Sequence, residues 1–105
     1  MGKLSVGIFG LEKIAAITGA DRGLGLALTA ALLERRWRVF AGQYLSDWPE
    51  LGALLGRYGN KLEIVPLDVA SQDSVQAAAQ SIGQLAERVD LLISGCALSL
   101  RRRVV

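Results

Sequence analysis

The chain contains no histidine and a single cysteine, Cys96. Without histidine, His-dependent catalysis and most zinc sites are excluded. One cysteine allows no intrachain disulfide and fits a reducing compartment. No apolar run approaches the roughly 18 residues that a membrane span requires. The opening stretch MGKLSVGIFGL has only a brief apolar part and no small-residue cleavage site after it, a poor match to a secretory leader. A myristoylation signal would need Ser or Thr where Val6 stands. A cytoplasmic location is the resulting expectation. Net charge is only +2, and three of the twelve basic residues sit together in Arg101-Arg102-Arg103. The body of the chain is therefore nearly neutral, and neither nucleic acid nor a membrane is an expected partner. An arginine run of this length reads as a solvated tail before it reads as a nucleic-acid patch.

What is present describes a compact domain. The chain has 105 residues, 51% of them hydrophobic and 21% charged. That length allows one domain, burying about two-thirds of the surface its unfolded chain would expose. The same composition argues against disorder.

The hydrophobic pattern alternates between two periods. Ile14-Ala15-Ala16-Ile17-Thr18 reads as a buried strand ended by Gly19. From Gly23 a helical pattern runs to about Arg36, where Arg35 and Arg36 suit the negative end of the helix dipole. A second strand is expected over 37–42. Ser46-Asp47-Trp48-Pro49 resembles a helix start, with Leu51, Leu54 and Leu55 as the apolar face and Gly56 and Gly59 near the end. A third strand follows at 62–67, where Pro66 points to a sheet edge. Ser71 can cap a helix through Val75, Ala78, Ala79, Ile82 and Leu85 to about Arg88. Residues 90–94 make a fourth strand. The order β-α-β-α-β-α-β, with short connections, implies an α/β fold with a parallel sheet and helices on both faces.

Thr18-Gly19-x-x-x-Gly23-x-Gly25 lies where the first strand becomes the first helix. Glycine permits a sharp turn there and lets a pyrophosphate approach the exposed amides of the helix N-terminus. A tight turn without a ligand uses the same residues, but the surrounding βαβ context favours binding. The Gly-Lys-Ser/Thr of a P-loop is missing, which disfavours a nucleoside triphosphatase.

The run T-G-A-D-R-G-L-G, Thr18 to Gly25, resembles the cofactor fingerprint T-G-x-x-x-G-x-G of the short-chain dehydrogenases/reductases. Leu67-Asp68-Val69 resembles that family's Asp-Val pair, and Asp90-Leu91-Leu92-Ile93 the approach to its fourth strand. The resemblance spans Lys13 to about Ala97. It implies part of a Rossmann fold, a four-stranded parallel sheet in the order 3-2-1-4, and a nicotinamide dinucleotide as ligand. Under it, Gly19, Asp21, Arg22, Gly23, Leu24 and Gly25 would line the phosphates and the adenosine ribose. Leu24 is expected to serve twice, with its side chain in the core and its amide near the ligand. Asp68 and Val69 would flank adenine, although Asp68 also suits a plain turn before Ser71. The domain is expected over 13–97, between an N-terminal extension (1–12) and an irregular basic tail (98–105).

An acidic residue at the end of the second strand would hydrogen-bond the ribose 2′-OH and repel a 2′-phosphate. Gln43 occupies that place, with Tyr44 beside it, and neither is acidic. Arg22 offers a guanidinium suited to phosphate, its plainer role being a solvated surface charge. NADP(H) is therefore expected over NAD(H).

The resemblance breaks after the fourth strand. Where the family has Asn-Asn-Ala-Gly, this chain has Ser94-Gly95-Cys96-Ala97. Ser94 replaces part of one amide at best, and Cys96 reads as a small buried residue. The family's catalytic Ser and Tyr-x-x-x-Lys have no counterpart: Tyr44 and Tyr58 are the only tyrosines, and neither has lysine four residues on. No catalytic residue and no metal ligand is assigned. The expectation is a truncated oxidoreductase that binds cofactor without turnover, with a reading-frame change or early stop near Ser94 as one origin. Alternatives are a non-catalytic nucleotide-binding or interaction module and one part of a split enzyme. Self-association through the exposed edge of the fourth strand is a further expectation.

Overall fold

A computed structural model describes residues 12–44 and 49–94. Its elements are β1 (Ile14–Thr18), α1 (Gly23–Glu34), β2 (Arg38–Gln43), α2 (Glu50–Tyr58), a single 3₁₀ turn (Gly59–Lys61), β3 (Leu62–Pro66), α3 (Gln72–Leu85) and β4 (Leu91–Ser94). The strands form one parallel sheet in the order β3-β2-β1-β4, as the resemblance implies. Pro66 lies on the edge strand β3, opposite Gln43, where its missing N–H costs no ladder bond.

Strand alternation divides the core into two layers. Ile17 of β1, Val39 and Ala41 of β2 and Leu62 of β3 face one way, against Leu33 of α1 and Leu51 of α2. Ile14, Ala16, Phe40 and Val65 face the other way, against Ala78 of α3. The central strands are covered on both faces, which is why β1 reads as an unbroken apolar run. On the second face α3 gives the sheet Ala78 and Ile82, while Val75 and Leu85 stay exposed. The edge strand β4 is poorly covered, and Leu92 is 71% exposed.

Two helices end earlier than their periodicity suggests. α1 stops at Glu34, not Arg36, because Arg36 adopts φ 70°. The Trp37 N–H then donates to Leu32 O and the Arg36 N–H to Leu33 O, each at 3.0 Å. This is a Schellman closure with arginine where glycine is usual. The two arginines consequently sit just past the last turn and not within it. α3 stops at Leu85, not Arg88, because Ala86 is extended. That turn frees Arg88 to reach Asp90, Nε to Oδ1 at 3.0 Å. The start of α3 follows expectation: Ser71 Oγ accepts the Ser74 N–H at 3.1 Å. Pro49 sits one position before α2, and Ser46, Asp47 and Trp48 lie outside the described residues. So do the expected tail at 98–105, Cys96, and all of the N-terminal extension except Glu12. No helix among the described residues is long and apolar enough to cross a membrane.

Candidate functional site

The chain leaves β1 through Gly19 at φ 61°, and reaches α1 through Gly23, also at φ 61°. Both values lie in the left-handed region where a side chain would strain the backbone. Between them the turn is tied to β2. The Ala20 N–H donates to Gly42 O at 2.9 Å, and the Tyr44 N–H donates to Asp21 Oδ2 at 3.0 Å. Ala20 and Asp21 are both buried, Asp21 with 2% of its surface exposed.

Arg22 is extended and stands at the N-cap of α1 without a side-chain cap hydrogen bond. The amides of the first helical turn have no intrahelical acceptor and point out of the helix end. No acidic residue occupies that turn, so the positive end of the helix dipole is not neutralised from within the helix. Gly25 lets this end sit low on the turn: a Cβ there would lie 2.2 Å from Gly19 O. One turn on, the buried Thr29 donates its hydroxyl to Gly25 O at 2.8 Å. Around Gly23, by contrast, a Cβ would meet nothing within 4 Å, which leaves the outer side of the turn open.

The other residues singled out from the sequence gather at the same end of the sheet, beyond the C-terminal ends of the strands. In open parallel sheets this is where ligands bind. Gln43 ends β2 and pairs with Pro66, and Tyr44 beside it is exposed. Asp68 and Val69 follow β3. Asp68 forms its own turn, with Oδ1 accepting the Ala70 N–H at 3.0 Å and its carbonyl accepting the Ser71 N–H at 2.9 Å. Its backbone N–H donates to Ser74 Oγ at 2.8 Å, and Val69 is exposed. Ser94, the last residue of β4, pairs with Thr18, the two hydroxyl oxygens 3.5 Å apart.

One expectation is corrected here. The Leu24 side chain is 60% exposed and contributes nothing to the core, because the first turn of α1 projects past the strand ends. Two features escaped the sequence. The inward aim of Asp21 had no signal, since a polar residue between two turn positions is ordinarily solvent-facing. The buried Thr29 was hidden in an alanine-leucine background that a helix tolerates at any position.

An apolar groove of about 460 Å³ lies elsewhere, between α3 and β4, lined by residues that include Ala16, Ile82, Ala86 and Leu92. It also takes in Arg88 and Val89, which precede β4, and so it opens toward the N-terminal ends of the strands. It shares no residue with the glycine turn.

Solved structures with this arrangement include a carbonyl reductase from Pseudomonas aeruginosa in complex with NADP, 34% identical with a TM-score of 0.73 over 79% of this chain and 36% of that one. A 3-ketoacyl-(acyl-carrier-protein) reductase from Brucella melitensis complexed with NADH is 26% identical, with a TM-score of 0.66 over 79% of this chain and 34% of that one. Among curated proteins, the rhamnolipids biosynthesis 3-oxoacyl-[acyl-carrier-protein] reductase of Pseudomonas aeruginosa is 31% identical over 88 residues, which are 83% of this chain and 34% of that enzyme. The chain spans about a third of the length of such relatives. The short chain dehydrogenase family model matches residues 13–104, from the residue before β1 to beyond β4, and the chain belongs to that family.

Proposed function

We propose that the chain is the nicotinamide-dinucleotide-binding part of a short-chain dehydrogenase-type oxidoreductase, taking NADP(H) in preference to NAD(H). The observation that carries this reading is the contact between Gly25 and Gly19, which leaves no room for a Cβ and sets an uncapped helix end low over the turn. Such a cradle fits a diphosphate, whose charge the helix amides and dipole favour. Gly19, Gly23, Leu24 and Gly25 would hold the diphosphate through their backbone. Arg22 would meet the adenosine ribose and its 2′-phosphate, Asp68 and Val69 the adenine, and Ser94 the inner ribose.

When bound, a nicotinamide dinucleotide supplies or accepts a hydride. The chain's own part is to bind and orient. Asp21 and Ala20 hold the turn against β2, and Thr29 fixes the first turn of α1 at Gly25. No Tyr-x-x-x-Lys occurs in the 105 residues, and no proton-transfer residue is assigned among them. The reading is therefore of binding without turnover by these residues alone. A cytoplasmic location belongs to the same proposal, supported by the single cysteine.

Titration of the purified 105-residue chain with NADPH, followed by nicotinamide fluorescence, tests it. Saturable binding that NADP⁺ displaces is expected, with no NADPH consumed when a carbonyl compound is added. Absence of saturable binding overturns the cofactor reading, and NADPH oxidation overturns the lack of turnover.

A further inference from the structure

The fold brings one charge to a place where the sequence lacks it. In a doubly wound sheet the 2′ position of the adenosine ribose is read at the end of the second strand, where a carboxylate favours a hydroxyl and opposes a phosphate. Gln43 is uncharged and leaves that position open to a 2′-phosphate. Asp21, from the glycine turn, puts a carboxylate there by another route. Its Oδ2 accepts the N–H of Tyr44, the residue after Gln43, at 3.0 Å, and the residue is 2% exposed. Burial in a low-dielectric setting strengthens the field of such a charge, since less water screens it. The carboxylate also occupies the Tyr44 amide, a backbone donor that a phosphate oxygen at the strand end would otherwise recruit.

We propose that Asp21 is a specificity-determining residue, whose carboxylate held on the Tyr44 amide disfavours a 2′-phosphate and narrows the preference for NADPH over NADH. Adjacent residues thereby act in opposite directions. The exposed Arg22 attracts the 2′-phosphate, and the buried Asp21 resists it. This inference rests on the dinucleotide-binding reading given above.

The test measures the ratio of the NADH dissociation constant to the NADPH dissociation constant on the full chain. Asp21→Asn keeps an oxygen that can accept the Tyr44 N–H, removes the charge and turns the second carboxylate oxygen into an amide donor. Its ratio is expected to rise roughly three- to tenfold over the wild-type value. A purely structural brace would change both affinities together and leave the ratio where it was, and that result overturns the proposal. Arg22→Ala provides a second measurement with Asp21 intact. With Asp21 unopposed, NADH is expected to bind more tightly than NADPH, so the ratio falls below one. A ratio that stays at one or above counts against Asp21 even where Asp21→Asn fails to fold. A wild-type chain that binds neither nucleotide removes the cofactor reading itself. That outcome is distinct from a wild-type chain that binds both while its variants show no change in ratio.

Discussion

Gly25 and Gly19 are packed backbone to backbone, so that a Cβ on Gly25 would stand 2.2 Å from the Gly19 carbonyl oxygen and 2.9 Å from its carbonyl carbon. Neither partner is a flexible side chain that can swing aside. Alanine at 25 must push α1 away from the turn, and the first-turn amides move with it.

Gly25→Ala is therefore expected to destabilise the chain by about 1–3 kcal/mol, the usual cost of overpacking. NADPH affinity should drop at least tenfold, as read in the same fluorescence titration. Gly52→Ala in α2 is the control. A Cβ there meets nothing within 4 Å, and the helix gains about 0.5–1 kcal/mol from the lower backbone entropy of the unfolded chain. Opposite shifts in melting temperature for the two variants check the account.

Arg22→Ala should weaken NADPH more than NADH. The guanidinium belongs to an extended residue at the mouth of the turn, and a charge-assisted contact to phosphate contributes about 1.5–3 kcal/mol. A loss of tenfold or more for NADPH, with a smaller one for NADH, is the outcome expected from paired titrations. Equal losses for both would remove Arg22 from recognition of the 2′-phosphate.

Arg36 carries strain that the sequence conceals. Its φ of 70° closes α1 in a position where glycine has no Cβ penalty. Arg36→Gly should raise stability by about 0.5–1 kcal/mol, since it removes the left-handed cost but makes the unfolded chain more flexible. Denaturant unfolding would show a higher midpoint with an unchanged slope.

How far the sequence disclosed this site can be judged from single residues. The strand-glycine-helix corner was legible because glycines at 19, 23 and 25 interrupt two apolar periods, and each has its own steric cause in the structure. The strand order came through the family resemblance, since alternation alone says parallel but not which strands are neighbours. The Leu24 side chain was misjudged, and the burial of Asp21 had no signal in the sequence. Hydrophobicity assigns the leucine inward and the aspartate outward, but the corner turns Leu24 to solvent and folds Asp21 beneath the end of β2. Side-chain direction in a tight turn follows backbone torsions, which composition does not encode. Arg36 escaped for a related reason. Its left-handed torsion is imposed by the need to bring Trp37 back against the core, a tertiary demand that overrides arginine's local preference.

The last prediction concerns the opposite end of the sheet, where Asp90 joins β4 to β1. Asp90 Oδ2 accepts the Ile14 N–H at 2.9 Å, and the Asp90 N–H donates to Ile14 O at 2.8 Å. Arg88 pairs with the other carboxylate oxygen and also donates to the Glu12 carbonyl. These contacts hold the Asp90 carboxyl below its ordinary value of 3.8, the Ile14 amide having the largest effect and the Arg88 hydrogen bond the next. A carboxyl that is more acidic in the folded state stabilises the fold when ionised. Its contribution is complete above the ordinary carboxylate range, and it is lost as pH falls through the lowered folded value. Asp90→Asn should accordingly melt below the wild type near neutral pH, and the gap should narrow as pH falls through the ordinary carboxylate range and below it. A gap that stays constant across that range would show that the charge on Asp90 does nothing for the β1–β4 junction.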